Sequence, residues 1–254
     1  MKFESVKFAR RASAFLKGAA LVLCLATANH AAAQGGPASV YLGSAGSYAV
    51  LASSTVTSTG ATVVNGDLGV WPGTAYVAGT PAATVNGSVH AGDVIAQHAQ
   101  ASLNVAYNDA AGRSTAPIGV AGDLGGKTLS PGLYKSTSTL SLTGTLTLHG
   151  NGVYIFQVGS ALTVSTGGTI VLSGGATAAN VFWQVGSSAT LGTAADFKGT
   201  IMALASVTMA TGARLEGRAL ALHGAVTMDS NNVTVPLLNA VLVVLPPPPP
   251  PHDD

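Results

Sequence analysis

Four threonines recur at the same place in four similar segments, and their hydroxyl groups are the chain's most regular chemical feature. The segments are FQVGSALTVST at Phe156–Thr166, WQVGSSATLGT at Trp183–Thr193, LASVTMAT at Leu204–Thr211 and HGAVTMDS at His223–Ser230. Aligned, they superimpose Thr163, Thr190, Thr208 and Thr227. A hydroxyl donates and accepts hydrogen bonds without carrying charge. A regular row of hydroxyls is therefore suited to ordering water rather than to acid–base chemistry.

The spacing of these segments indicates the architecture that positions them. The first step, from Thr163 to Thr190, is the longest, and the two later steps are nearly equal. A repeat of roughly twenty residues is typical of a solenoid, in which each coil stacks on its neighbour. Coils of that length accommodate three short strands with turns between them, which predicts a triangular cross-section. Stacking places equivalent residues side by side, so the four threonines should form a ladder on one surface.

The residues that flank each threonine indicate what this surface is like. Successive side chains of a strand point to opposite faces, so the outward positions beside the threonines are small, namely Ala161, Ser165, Ser188, Ser206 and Ala225. Coils should lie ~4.8 Å apart, with outward residues ~6.6 Å apart along a strand. Threonine has a stiff χ1, so such a face is a flat, rigid lattice with spacings close to oxygen repeats in ice. The alternative is that threonine and serine merely suit outward strand positions.

One segment breaks the β pattern and predicts a helix over about 91–112. It has no internal proline, and apolar residues recur with helical spacing at Ile95, Ala99, Leu103, Ala106 and Ala110. Asp93 suits the first turn of this helix and Arg113 the last. The small alanines would let the helix pack closely against a sheet.

The two ends of the chain differ from the rest. Residues 1–33 have a basic start, a short apolar run and small residues before Gln34, which predicts a secretory signal. Residues 34–236 form the predicted solenoid domain, and 237–254 form an apolar and polyproline tail. The one cysteine, Cys24, lies in the signal, so we expect no disulfides in the exported protein. We expect a secreted monomer without a membrane span, located outside the cell, in the periplasm or at the cell surface.

Composition and the scatter of charge argue against catalysis. Residues 34–254 contain 6 Lys and Arg, 9 Asp and Glu, and 25 Thr, so the net charge is near −3 and nucleic acid is not an expected partner. The carboxylates Asp196, Glu216 and Asp229 stand apart from one another, without the clustering that solenoid lyases and hydrolases need. We therefore predict no enzyme, no catalytic residue, no metal and no cofactor.

Two further groups of polar residues have simple structural interpretations. Arg214, Glu216 and Arg218 alternate, which predicts a strip of ion pairs on one outward rim. His90 and His98 lack the four-residue spacing of a zinc helix, and the sequence offers them no acidic partner. We expect both histidines to be solvated or to cap the helix.

The chain resembles the microbial β-solenoid family of ice-binding proteins over roughly residues 40–236. The resemblance is carried by LGSAGSYAVLASSTVTSTGATVVNGDLGV at Leu42–Val70, by LNVAYNDA at Leu103–Ala110, by LSPGLYKSTSTLSLTGTLTLHG at Leu129–Gly150, by VYIFQVGSALT at Val153–Thr163, and by the segment Asn180–Thr234. It implies a right-handed, discontinuous β-solenoid with the helix along one side and N- and C-terminal coils adjacent. It also implies binding to ice through one flat face, which inhibits growth or recrystallisation.

The resemblance also implies a short pattern, Thr-Ala/Gly-x-Thr/Asn, on the binding side. It reads TGAT at Thr59–Thr62, TGGT at Thr166–Thr169 and TAAN at Thr177–Asn180, whereas TAAD at Thr193–Asp196 and TGAR at Thr211–Arg214 end in a charge that argues against these two as contacts. The predicted ice-binding residues are Thr163, Thr190, Thr208, Thr227, Ala161, Ser165, Ser188, Ser206, Ala225, Thr166, Thr169, Thr59 and Thr62.

A second class of function stays open at this point. A carbohydrate-binding or cell-surface adhesion solenoid would stack sugars on exposed aromatic rings, and Trp71, Tyr76 and Trp183 are the aromatic residues to consider. Trp183 lies in a segment that should face inward. A solenoid lyase is the third interpretation, which the missing cluster of acids disfavours.

Overall fold

The computed structural model describes residues 36–236; the predicted signal at 1–33 and the predicted tail at 237–254 lie outside the described residues. Before the helix the strands are β1 (Tyr48–Ala52), β2 (Thr55–Thr59), β3 (Val63–Asn65), β4 (Asp67–Val70), β5 (Ala75–Val77), β6 (Thr84–Asn86) and β7 (Val89–Ala91). The helix α1 spans Val94–Gly112.

The remaining strands follow the helix. They are β8 (Ile118–Gly119), β9 (Gly122–Asp123), β10 (Thr128–Leu129), β11 (Gly132–Ser136), β12 (Leu140–Leu142), β13 (Thr145–His149), β14 (Tyr154–Val158), β15 (Leu162–Val164), β16 (Thr169–Ser173), β17 (Val181–Val185), β18 (Ala189–Leu191), β19 (Asp196–Ala203), β20 (Val207–Met209), β21 (Arg214–Ala221), β22 (Val226–Asp229) and β23 (Asn232–Thr234). Short 3-10 turns occur at Gly43–Ser47 and Ala178–Asn180.

The strands stack in parallel into three faces, which confirms a mostly β solenoid with one helix. Face 1 has the order β7-β4-β1-β21-β19-β17-β14-β11-β8, face 2 the order β5-β2-β22-β20-β18-β15-β12-β9, and face 3 the order β6-β3-β23-β21-β19-β16-β13-β10. Strands β19 and β21 belong to two faces because each bends in its middle. Gly199 makes the bend in β19 with φ 106°, a backbone conformation that glycine adopts without steric cost.

The stack is discontinuous in sequence. The three N-terminal strands β1, β2 and β3 lie directly on the C-terminal β21, β22 and β23, with Val50 opposite Ala219 and Val56 opposite Val226. Segments from opposite ends of the domain therefore share one ladder of hydrogen bonds. The prediction that N- and C-terminal coils are adjacent is confirmed.

Apolar side chains from all three faces fill the interior of the coils. Between its two end strands, every second residue of the face 2 strands is buried, as in β15, where Leu162 and Val164 are buried and the residue between them is exposed. An aromatic stack runs through the same core: Phe156 lies 3.9 Å from Trp183 with nearly parallel rings, and Tyr134 lies 5.0 Å from Phe156. Trp183 is fully buried, as predicted from the sequence.

The helix covers part of face 1 and connects the two ends of the stack. It has 19 residues, about 28 Å at 1.5 Å per residue, which is close to six coil spacings. The Asp93 side chain accepts a hydrogen bond from the Ala96 N–H and so caps its start. Ala99, Leu103, Ala106 and Ala110 are buried as predicted, together with Ala96 and Tyr107.

One residue that was predicted to face the sheet, Ile95, does not face it. Ile95 is 52 % exposed, because it lies in the first turn, next to the cap, rather than over the sheet. Ala96 takes the inward position instead.

The buried Gln157 fixes the other end of the helix. Its Nε2 donates hydrogen bonds to the carbonyls of Ala110, Ala111 and Arg113, at 2.8, 3.1 and 2.7 Å. These carbonyls belong to the last turn, where an α-helix has no partners of its own for them. A strand side chain of face 1 thus satisfies the C-terminus of α1.

We expect Gln157→Leu to destabilise the domain by about 2 kcal/mol, because buried carbonyls lose their donor. Urea unfolding followed by circular dichroism measures this change. Gln97→Leu, at an exposed position on α1, is the control and should change stability little. Equal losses in both variants would contradict the capping role.

Candidate functional site

Face 2 carries the predicted threonine ladder, and the structure makes it longer than the sequence suggested. Thr163, Thr190, Thr208 and Thr227 are exposed and lie directly opposite one another in successive strands. The column continues through Ser141 at one end and Thr57 at the other. Six hydroxyl residues are therefore in unbroken register, and they span about 24 Å at ~4.8 Å per strand.

The ends of this column are chemically different from its middle. Thr57 is followed by Val77 in β5, and Ser141 is followed by Asp123 in β9. An apolar side chain thus closes the column at one end and a carboxylate at the other. Hydrogen bonds from the backbone N–H groups of Gly125 and Thr143 hold the pKa of Asp123 below its usual value, so this end is charged at neutral pH.

A second column, on the side of the preceding turns, contains five small residues. Its predicted members Ala161, Ser188, Ser206 and Ala225 are half-buried, and Thr55 of β2 continues the series. The hydroxyls of the two serines are partly engaged: Ser188 Oγ accepts from the Ser206 N–H at 3.4 Å, and Ser206 Oγ accepts from the Ala225 N–H at 3.2 Å. These bonds join neighbouring turns and hold the two serine side chains against the backbone.

A third column borders the opposite side of the face. Ser165 lies here as predicted, half-buried, with its Oγ 3.2 Å from Thr143 Oγ1. Thr59 is exposed at the end of β2, and its Oγ1 donates to the Met228 carbonyl at 3.4 Å. Between them the column contains Gly192, Ala210 and Asp229. Only Asp229 introduces a charge.

The residues predicted at the adjoining turns divide between the surface and the interior. Thr166 is exposed at the corner between face 2 and face 3. Thr169 lies at the start of β16 on face 3, with its Oγ1 donating to the Gly167 carbonyl. Thr62 is 1 % exposed, and its Oγ1 accepts from the Asn231 N–H, so the prediction that Thr62 is a surface contact is wrong. The turn folds Thr62 inward so that it can satisfy a buried backbone donor.

The first threonines of TAAD (Thr193–Asp196) and TGAR (Thr211–Arg214), the two short patterns that end in a charge, lie beside Thr166. Stacked turns bring Thr166, Thr193 and Thr211 into a corner column, since the Gly167 N–H donates to the Thr193 carbonyl and the Ala194 N–H to the Thr211 carbonyl. The charged fourth residues, Asp196 and Arg214, begin β19 and β21 on face 3. Their charge therefore does not lie on the hydroxyl face. TAAN lies elsewhere, in the 3-10 turn before β17.

Besides Asp123 at the end of the threonine column, the hydroxyl surface contains one more carboxylate, Asp229, in its third column. Hydrogen bonds from Thr211, and to a lesser extent from Ser230, hold the pKa of this carboxyl below its ordinary value. A lowered pKa means that Asp229 stays ionised at and well below neutral pH. The surface therefore carries a fixed negative charge where the third column meets the corner, in addition to that of Asp123 at the end of the threonine column.

The polar clusters outside face 2 differ from the sequence predictions in two respects. His90 has an acidic partner after all, since its Nδ1 lies 2.8 Å from Asp93 Oδ2, and the pair belongs to the helix cap. Arg214 and Glu216 are exposed on face 3, but Arg218 is 4 % exposed on face 1, so the three residues do not form one rim strip. The bend of β21 separates them. Glu216 instead pairs with Lys198 at 3.5 Å.

Within residues 36–236, no group of three His, Cys, Asp or Glu side chains is placed to hold a metal ion. In the same part of the chain, no helix combines the length and apolar character needed to cross a membrane.

Sequence reasoning missed Thr57, Thr55 and Ser141, although a signal for each was present. The segment LASSTVTST at Leu51–Thr59 repeats the Val-Thr pair of LASVTMAT, and Leu140-Ser141-Leu142 repeats the alternation of Leu162-Thr163-Val164. What the sequence does not contain is the register that brings β2 against β22. That register depends on the whole solenoid.

The fold and this face define a class of protein: a β-solenoid with one helix and one strand face that presents a column of hydroxyl residues. A sequence model described as ice-binding-like matches residues 50–234, so the chain belongs to the ice-binding-like family. An ice-binding protein of Nostoc sp. (strain HG1) is 46 % identical over 198 residues, which cover 76 % of this chain and 73 % of that protein. An ice-binding protein of Flavobacterium frigoris (strain PS1) is 36 % identical over 213 residues, covering 78 % of this chain and 76 % of that protein.

Solved structures agree with these sequence relatives. The crystal structure of an ice-binding protein from an Antarctic biological consortium superimposes with a TM-score of 0.77 at 48 % identity, covering 80 % of this chain and 93 % of that chain. The ice-binding protein of the Antarctic ascomycete Antarctomyces psychrotrophicus superimposes with a TM-score of 0.73 at 38 % identity, covering 78 % of this chain and 98 % of that chain.

Proposed function

We propose that this protein is secreted and adsorbs to ice through face 2. The observation that carries the proposal is the unbroken column Thr57, Thr227, Thr208, Thr190, Thr163 and Ser141 on a strand face without long side chains. The names of the sequence relatives support the same ligand for this chain. The contact surface consists of this column, its two flanking columns and the corner threonines Thr166, Thr193 and Thr211.

The physical basis is a match between a rigid hydroxyl lattice and ordered water. Hydrogen-bonded strands hold the threonine Cβ atoms at a fixed spacing, and the stiff χ1 of threonine leaves little rotamer entropy to lose on adsorption. The methyl groups exclude loosely held water, while the hydroxyls donate to and accept from the water that remains. Adsorbed molecules pin the ice front, which must then grow as curved surfaces between them, so that growth and recrystallisation slow.

Adsorption to ice requires no catalytic residue, cofactor or metal, and we expect a non-enzymatic monomer. Export follows from the predicted signal at 1–33. Carbohydrate binding through face 2 is the alternative, but no strand of face 2 presents Trp71 or Trp183, and Tyr76 of β5 is half-buried at the end of that face.

Thermal hysteresis of the purified protein without residues 1–33 tests the proposal. In a nanolitre osmometer we expect a gap between the melting and freezing points that grows with protein concentration, together with faceted crystals. A glycan array run on the same preparation addresses the alternative. Round crystals with no freezing gap would reject ice adsorption.

We expect Asp229→Asn to raise the hysteresis activity by about twofold, which corresponds to a few tenths of a kcal/mol. The amide keeps a carbonyl acceptor for Thr211 but removes the fixed charge, which holds its own hydration shell rather than an ice-like one. The control is Asp109→Asn on the exposed side of the helix, which should leave activity unchanged. A fall in activity in Asp229→Asn would place the carboxylate among the groups that favour adsorption.

A further inference from the structure

A cavity of about 680 Å³ lies beside face 1, away from the hydroxyl face. Residues 39–47 lead across face 1 before β1, and the cavity lies between this segment and strands β17 and β21. Val40, Leu42, Ala179 and Phe182 supply apolar walls. Its volume is in the range of small-molecule sites.

Arg218 is the one charged side chain that borders this mostly apolar space. Arg218 follows Thr200 and Phe182 in one outward column of face 1. Only 4 % of Arg218 is exposed, and it is the one buried Lys, Arg, Asp or Glu within residues 36–236. The sequence placed Arg218 on an exposed rim, but the bend of β21 moves it to the bottom of the cavity.

The guanidinium has neutral partners but no counter-charge. Its Nε and Nη2 donate to the Gly46 carbonyl at 2.9 and 2.7 Å, and its Nη1 donates to Thr200 Oγ1 at 3.2 Å. These bonds use three of the five N–H groups of an arginine. None of the ion pairs formed by the described residues includes Arg218. A buried cation without an anion is costly because it has lost its hydration and gained no opposite charge in return. Most buried charges in proteins are paired for this reason.

The unfavourable burial of this charge also lowers the proton affinity of the Arg218 guanidinium. Burial lowers the pKa of Arg218 to about 10, so the side chain remains protonated at neutral pH but is less favourable as a cation than it is in water. An anion placed against the two remaining N–H groups would reverse this effect. Guanidinium groups bind carboxylates in a planar, two-bonded geometry.

We infer that this cavity binds a small amphipathic carboxylate, such as a medium-chain fatty acid, with its carboxylate on Arg218 and its apolar body against Tyr41, Leu42 and Ala179. The charge selects an anion, and the walls select a hydrocarbon chain. Ser39 and Ser47 also border the cavity. The inference is independent of the ice-binding proposal, because no strand of face 2 contributes to the cavity.

A purely structural role for Arg218 predicts something different. Its bonds to Gly46 hold the segment before β1 against face 1, so any substitution of Arg218 can loosen that segment. A structural arginine gives no reason for the protein to distinguish octanoate from octanol. Ligand dependence in the unaltered protein therefore separates a binding site from a structural contact.

The test measures octanoate, octanol, acetate and sulfate with the purified protein by isothermal titration calorimetry, and by the shift in its thermal unfolding. We expect octanoate to bind at one site and to raise the unfolding temperature. Octanol and acetate should each bind at least tenfold more weakly than octanoate, since octanol lacks the carboxylate and acetate lacks the hydrocarbon chain. Sulfate should bind no better than acetate.

A cavity-filling variant tests the location without touching Arg218. Ala179→Leu should reduce octanoate affinity at least tenfold and remain folded, since Ala179 is only half-buried. Ala111→Leu, at an exposed site on the helix, is the matched control and should bind as the unaltered protein does. Equal binding of octanol and octanoate, preferential binding of sulfate, no octanoate binding, or undiminished binding by Ala179→Leu would each overturn the inference. Thermal hysteresis is measured separately and should not change with octanoate bound.

Discussion

Replacing Thr208 by tyrosine is expected to reduce thermal hysteresis by about an order of magnitude, because one ring in the middle of a flat contact keeps the rest of the surface away from ice. Thr208 is the third of six hydroxyl residues in register, with Thr227 and Thr190 on either side. Truncating or blocking a central contact residue costs far more than changing one at the rim. Thr190→Tyr should act in the same way, and the measurement is the freezing gap at equal protein concentration.

The matched control for this substitution is Thr147→Tyr. Thr147 points outward from β13 on face 3, between Thr128 and Val171 of the neighbouring strands. The change in size and polarity is the same, but the position lies on another face. Both variants should show the circular dichroism of the unaltered protein. If Thr208→Tyr and Thr147→Tyr both showed the same freezing gap as the unaltered protein, face 2 would no longer be a candidate for the contact surface.

Trp183→Ala should have the largest effect on stability, a loss of about 3–5 kcal/mol in the free energy of unfolding. Trp183 is fully buried, stacks on Phe156 at 3.9 Å and contacts Phe197 at 5.0 Å between ring centres. Its Nε1 also donates to the Lys198 carbonyl at 3.1 Å. Removing the ring leaves a cavity inside the coils and an unpaired carbonyl. Urea unfolding followed by far-ultraviolet circular dichroism measures the loss.

The second tryptophan provides a control for Trp183→Ala. Trp71 is only half-buried outside the aromatic stack, so Trp71→Ala should cost markedly less. Trp183→Phe should recover much of the stability by keeping a ring in the stack. Equal losses for Trp71→Ala and Trp183→Ala would show that the stack does not carry the stability assigned to it.

The central ladder could be predicted because the relevant coils are consecutive in sequence. From Thr163 to Thr227 each coil follows the last, so an alignment of similar segments is also an alignment of neighbours in space. Thr57 could not be added in this way. It lies opposite Thr227, at the far end of the domain in sequence, and only the discontinuous stacking of β2 on β22 makes them neighbours.

Two errors have local causes that a residue pattern does not contain. Thr62 has the right type and spacing for a surface contact, but its turn folds it inward to accept the Asn231 N–H. Arg218 alternates with Glu216 and Arg214, yet the strand bends between positions 216 and 218 and passes from face 3 to face 1. Alternation predicts a common face only while a strand remains on that face.

The incorporation of labelled protein into a slowly growing single ice crystal tests the central claim most directly. An amine-reactive dye labels Lys127, Lys135 and Lys198 within residues 36–236, and none of these belongs to a strand of face 2. We predict that the unaltered protein and Thr147→Tyr stain the crystal, whereas Thr208→Tyr stays in the liquid. A crystal stained equally by all three proteins, or by none, would contradict adsorption through the hydroxyl face.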